Sequence, residues 1–218
     1  MKILHCISQI PGMTGSGIYY RHLVKGLDDL GFRNALLFAG QKGYDVGLPD
    51  AEKYYPIEFK SEQLPFPIPG MSDEMPYDST IYSQMSEEDF AVWSQAFRSR
   101  LMEAKKEFQP DLVVSHHIFI MTSLVREIFD DIPVIGISHG TDIRQVRMNP
   151  SIHQKYVTCA DELDAYFALS PSDAERLHQI FSIPMDKITV TGGGFDEEIF
   201  HPDFNQTLND DFNLIYAG

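Results

Sequence analysis

At 218 residues, with 43% hydrophobic and 12% aromatic side chains, the chain is long enough to bury a sizeable core, which excludes a disordered segment. Its formal charge of −15 repels nucleic-acid phosphates and weakens any broad grip on anionic lipid, so neither is an expected partner. No apolar run approaches the ~20 residues of a transmembrane segment, and the two cysteines, Cys6 and Cys159, form no C-x-x-C pair and read as reduced thiols of a cytoplasmic protein.

Met1–Ile7 is too short and wrongly flanked for a signal peptide, and Lys2–Ile7 reads as a buried strand. A loop with Pro11, Gly12, Gly15 and Gly17 follows. A helix then carries Tyr20, Leu23, Val24, Leu27 and Leu30 at helical spacing until Gly31 ends it. Ala35–Ala39, closed by Gly40, is a second buried strand, and Tyr55–Phe59 is a third. Residues 60–85 hold Pro65, Pro67, Pro69, Gly70 and Pro76 without a period. A long excursion is predicted there, of the kind that carries function in compact domains. Ser86-Glu87-Glu88-Asp89 starts a capped helix that runs to about Phe108, with Phe90, Trp93, Phe97 and Leu101 as its core stripe. Strand Asp111–Ser115, helix Phe119–Phe129 and strand Pro133–Ser138 come next, then a helical stretch over 150–163. Strand Ala165–Leu169, helix Pro171–Phe181 and strand Ile188–Thr191 lead into Gly192-Gly193-Gly194.

Continuous apolar strands mark a parallel sheet covered on both faces. Repeated βαβ units then predict an α/β, doubly wound, mostly parallel, Rossmann-like fold. Phe212–Gly218 is one more buried-strand pattern. Such a strand needs neighbours and a crossover. The expected organisation is therefore one domain over residues 1–205, then a linker and the first strand of a second domain over 206–218.

Ligands of doubly wound folds sit at the carboxyl ends of the strands. After the first strand, Gly12-Met13-Thr14-Gly15-Ser16-Gly17 opens a helix, which lets backbone approach a phosphate at a helix N-terminus. It is not the dinucleotide fingerprint, because Tyr20 stands where the third glycine belongs and no acidic residue ends the second strand. Nor is it a P-loop, because Ile18 occupies the lysine position. A tight turn without a ligand is the alternative. His116 and His117 follow one strand, and His139-Gly140-Thr141-Asp142 follows the next. Imidazoles on that rim can hydrogen-bond to hydroxyls or transfer protons. Arg144 and Arg147 lie just beyond and suit a carboxylate or phosphate, or are exposed loop charges. His116, His117, His139 and Asp142 are also candidate ligands of a divalent metal, although adjacent strand residues point opposite ways. A metal-dependent hydrolase and a non-catalytic ligand-binding domain thus stay open.

Five segments, in this order and spacing, resemble the family 4 retaining glycosyltransferases of the GT-B fold. They are Gly15-Ser16-Gly17 with its helix to Leu30-Gly31-Phe32; Asp111–His116; His139–Ile143; Phe167-Ala168-Leu169-Ser170; and Gly193-Gly194-Phe195-Asp196 with Phe200 and Pro202. The resemblance implies two Rossmann-like domains with the active site between them, this chain being the N-terminal, acceptor-side half. It implies a nucleotide-diphosphate-sugar donor as substrate, a sugar, lipid-linked or small-molecule acceptor, hexosyl transfer, and neither cofactor nor metal. Gly15, Ser16, Gly17 and Gly194 would meet the donor phosphates, with His116 as the catalytic imidazole near the reacting carbon. His139, Thr141, Asp142, Arg144 and Arg147 would serve the acceptor; His139–Ile143 is similar to the loop of malate-glycosylating enzymes. The carboxylate pair and basic groups that grip the donor would belong to the second domain, so this length of chain is expected to be nearly inactive alone. Two positions depart from the family pattern: Gly193 replaces a usual asparagine and Val114 a usual histidine.

Overall fold

Seven of the apolar runs lie side by side, all parallel, in the computed structural model, which describes residues 1–195, 197 and 199–201. The chain runs β1 (Lys2–Ile7), α1 (Gly15–Asp29), β2 (Arg33–Gly40), β3 (Lys53–Glu58), and the two-residue strands β4 (Pro69–Gly70) and β5 (Thr80–Ile81). It continues α2 (Glu87–Glu107), β6 (Leu112–His116), α3 (Ile120–Ile128), β7 (Val134–Ile137), α4 (Thr141–Met148) and α5 (Pro150–Tyr156). The last elements are β8 (Ala165–Ala168), α6 (Pro171–Phe181) and β9 (Ile188–Val190). Across the main sheet the order is β3-β2-β1-β6-β7-β8-β9. The connections after β1 and β6 therefore leave in opposite directions and open a crevice at the carboxyl ends of these two strands.

Alternation along β1 divides the core. Ile3 and Ile7 pack on the side covered by Tyr20, Val24, Leu23 and Leu27 of α1. Leu4 and Cys6 join the larger cluster with Trp93, Phe97 and Leu101 of α2 and Leu124 and Val125 of α3. Both faces are apolar, which is why these strands read as unbroken runs. Trp93 and Phe97 stack with ring centroids 4.2 Å apart and are fully buried; truncating such an aromatic to alanine costs about 3–5 kcal/mol. The start of α2 is a capping box. Asp89 N–H donates to Ser86 Oγ at 3.1 Å, and Ser86 N–H donates to Asp89 Oδ2 at 2.8 Å, a cap worth about 1 kcal/mol.

Two helices differ from the sequence reading. Helix α4 occupies Thr141–Met148, where the sequence reads as a loop. Its only buried apolar residues are Ile143 and Val146, too short a stripe to register as a period. Helix α5 stops at Tyr156 instead of 163. Val157, Ala160 and Leu163 are buried at helix-like spacing but belong to irregular chain. The excursion over 60–85 is irregular apart from β4, β5 and a 3₁₀ turn at Tyr82–Gln84. Cys6 is buried, Cys159 half-buried, and both are free. Among the described residues no helix is long and apolar enough to cross a membrane. The strand expected over 212–218, the boundary after residue 205, and the motif positions Asp196 and Pro202 lie outside the described residues.

Candidate active site

The first wall of the crevice is the start of α1. Thr14 caps the helix with an extended backbone. Its Oγ1 accepts from Gly17 N–H at 3.1 Å, and its carbonyl accepts from Ile18 N–H at 2.8 Å. The N–H groups of Gly15 and Ser16 have no partner among the described residues, as first-turn amides lack an intrahelical acceptor. Ser16 Oγ donates to Gln9 Oε1 at 2.9 Å and lies 3.1 Å from Thr14 Oγ1, tying the helix to the residues after β1. Gly15 and Ser16 line a cleft of about 1000 Å³; Gly17 is buried beneath them and does not. Unpaired amides and the positive end of the helix dipole favour an anion at this wall.

The second wall is built from imidazoles. His116 ends β6, His117 follows it with φ of 65°, and His139 follows β7. His117 N–H donates to Ile137 O at 2.9 Å, which holds this connection against β7. His139 lines the cleft. His116 stands one layer behind: it is fully buried and does not line the cleft. Its Nδ1 lies 3.0 Å from His139 Nε2, and the two rings are nearly parallel with centroids 5.2 Å apart. Tyr19 meets His139 edge-on at 5.3 Å, and Tyr20 meets His116 at 5.1 Å, so α1 clamps both rings. Burial pushes His139 down to about 4 and holds His116 and His117 well below the usual imidazole range. These rings are neutral near pH 7.

Residues read for the acceptor divide. Thr141, first residue of α4, lines the cleft beside His139. Asp142 does not; it is fully buried. Its Oδ2 accepts from Ile118 N–H at 2.9 Å, and its Oδ1 accepts from Ser138 Oγ at 2.9 Å and from Ile143 N–H at 3.0 Å. Burial outweighs these bonds and raises its carboxyl to about 6. Asp142 is therefore a structural tie between two strand-end loops, buried away from the cleft. Among the described residues no three His, Cys, Asp or Glu side chains are grouped to hold one. Arg144 and Arg147 project from the exposed side of α4, outside the cleft.

The third wall combines Met71, Ser72 and Met75 of the excursion with Gly193, Gly194, Phe195, Ile199 and Phe200. Gln145 Nε2, on α4, donates to Met71 O at 3.1 Å and holds the excursion in place. Gly194 has φ of 67°, a backbone that favours glycine. Phe195, Ile199 and Phe200 are 75%, 67% and 67% exposed, an apolar rim. Sequence reasoning missed Gln9, Tyr19, Met71 and Met75. Tyr19 follows Gly17 by two residues on the same helix and was the one with a positional signal; the others had none.

With this geometry in hand, the sequence model of Glycosyltransferase Family 4 matches residues 13–199. No curated protein matches the chain. Among solved structures, sucrose-phosphate synthase from Thermosynechococcus elongatus is similar with a TM-score of 0.57 at 13% identity, over 92% of this chain and 50% of that one. A UDP-GlcNAc 2-epimerase from Neisseria meningitidis bound to UDP-GlcNAc has a TM-score of 0.53 at 16% identity, over 88% of this chain and 47% of that one. S. aureus MnaA, solved with UDP, has a TM-score of 0.53 at 14% identity, over 95% and 49%. At these identities the likeness is one of fold, and the chain spans about half the length of each.

Proposed function

The chain belongs to Glycosyltransferase Family 4, and on that footing we propose that it forms the acceptor-side lobe of an enzyme that moves a hexosyl group from a nucleotide-diphosphate-sugar to an acceptor hydroxyl with retention of configuration. One observation carries the reading. The unpaired amides of Gly15 and Ser16 and the imidazole of His139 open into one cleft where the strand order reverses.

Cleaving the bond between the anomeric carbon and the diphosphate leaves negative charge on the departing oxygen. Fixed N–H dipoles at the start of α1 favour that charge better than mobile water does. Gly193 and Gly194 allow backbone to approach the same ligand. The acceptor oxygen bonds to the anomeric carbon on the face the leaving group vacates, and its proton passes to the departing diphosphate. Contact with the ligand is assigned to His139 and the two amides, with His116 behind them. The mechanism calls on no cofactor and no metal. A cytoplasmic place of action is part of the same proposal and rests on two free cysteines.

A uridine nucleotide is the first donor to try, because two proteins of similar fold were solved with UDP-GlcNAc or UDP. The test incubates full-length protein with UDP-, ADP- and GDP-sugars. Nucleotide release is followed together with the anomeric configuration of any product. Release that falls in His139→Gln supports the reading; failure to bind or turn over any nucleotide-sugar refutes it.

A further inference from the structure

The imidazole that faces the cleft is held by one that does not. His139 Nε2 lies 3.0 Å from His116 Nδ1, while His139 Nδ1 has no hydrogen-bond partner among the described residues. His117, the other neighbour, has its ring centroid 4.8 Å from that of His139 and is tilted by 50°, with no hydrogen bond between them. Each neutral imidazole carries one proton, so one ring of the bonded pair donates and the other accepts.

Only two arrangements satisfy that contact. If His139 Nε2–H donates, His116 must keep its own proton on Nε2, which is buried without a partner. If His116 Nδ1–H donates, His116 Nε2 is left as a bare lone pair instead. Among buried backbone groups an N–H without an acceptor is a rarer orphan than an under-satisfied acceptor, and the same order is taken for the ring, where a bare N–H carries the desolvation cost of a donor. The second arrangement wins. His139, accepting at Nε2, must then carry its proton on Nδ1.

We infer that His116 is a positioning residue that sets the tautomer of His139, so that His139 presents an N–H donor to a phosphate, hydroxyl or carboxylate oxygen in the cleft. The inference rests on the transferase reading only for the identity of that ligand. The tautomer belongs to the free protein. Edge-on packing by Tyr19 and Tyr20 keeps both rings from turning.

Long-range proton–nitrogen correlation spectra of ¹⁵N-labelled full-length protein distinguish a protonated from a bare ring nitrogen. They are recorded at roughly pH 7.5, above the ordinary titration of imidazole. The His139 signals are identified by their loss in His139→Gln. The expected wild-type pattern is a protonated Nδ1 and a bare Nε2 on His139. His116→Asn, whose amide can donate in place of the ring, keeps that pattern. His116→Leu, which fills the space without a donor, shifts it toward protonated Nε2. A wild-type His139 protonated on Nε2 overturns the inference by itself, whether or not either variant folds. An unchanged pattern in folded His116→Leu overturns it too. Nucleotide-sugar turnover enters none of these readings, so failure of the transferase assignment is seen separately.

Discussion

Gly15 and Gly17 stand two residues apart in one motif and answer different demands. A Cβ on Gly15 would meet nothing within 4 Å, whereas one on Gly17 would come within 2.7 Å of Gly12 N and 2.9 Å of Ile10 O. The first borders open cleft; the second is the close approach that seats α1 against its loop. Gly17→Ala is therefore expected to destabilise the fold by about 1–3 kcal/mol, as in other overpacked sites. Gly15→Ala should leave stability unchanged or slightly raised. Urea midpoints of the two variants check the contrast.

Gly15→Pro isolates the amide itself. Gly15 is the first helical residue, where proline is tolerated, and Thr14 before it is already extended. The variant should keep its melting temperature yet lose one donor to a phosphate. A charge-assisted hydrogen bond of about 1.5–3 kcal/mol corresponds to a loss of roughly tenfold or more in nucleotide-diphosphate affinity, measurable by calorimetry. Unchanged affinity would remove this amide from the site.

Asp142→Asn turns one carboxylate oxygen into a donor facing the N–H of Ile118 or a donor facing Ser138 Oγ and Ile143 N–H. The expected result is a stability loss of about 1–3 kcal/mol, with acceptor KM altered only as far as the fold is. A large KM change at unchanged stability would return Asp142 to the acceptor site.

The buried imidazoles make the protein acid-labile. His5 and His139 are pushed down to about 4 by burial, and His116 and His117 lie well below their usual range. The unfolded chain therefore binds more protons than the native one between about pH 6.5 and 4, and stability falls as pH drops through that window. Asp142, raised to about 6, acts in the opposite sense between about 4 and 6, one group against four. Each unopposed histidine contributes about 1.4 kcal/mol per pH unit. Urea midpoints across this range should fall toward acid, and His139→Gln should flatten the slope; a level wild-type profile would contradict the burial.

Arg144→Ala and Arg147→Ala should leave both nucleotide binding and acceptor KM unchanged, because neither side chain lines the cleft. An increase in acceptor KM of tenfold or more for either would place the acceptor outside the cleft, along α4.

The sheet was legible because its central strands β1, β2 and β6 are buried on both faces, and unbroken apolar runs such as Ala35–Ala39 have few other readings. The glycine loop was legible through its place after the first strand. Which imidazole meets the cleft was not. His116 and His117 are adjacent and both buried, so strand alternation offers two faces and no sign that a third histidine, from another strand end, covers them. Asp142 read as a ligand-binding carboxylate because its partners, two backbone amides and a serine, are set by the fold and leave no trace in spacing. Met71 and Met75 belong to an aperiodic segment, which burial of Leu64, Ile68 and Met71 in the core and the hydrogen bond from Gln145 to Met71 O bring to the cleft.

The carboxylate of Asp142 grips the peptide that follows His116 and His117 on one side and the serine that precedes His139 on the other. Both imidazoles are thereby referenced to a single anchor. The ladder pairing of His116 with Ile137 and the bonds of Asp142 to both strand ends resist sliding of β6 past β7, the one displacement that would part the two rings. A delicate contact between uncharged rings keeps its register because a sturdier one, out of reach of any ligand, sets the coordinates of both.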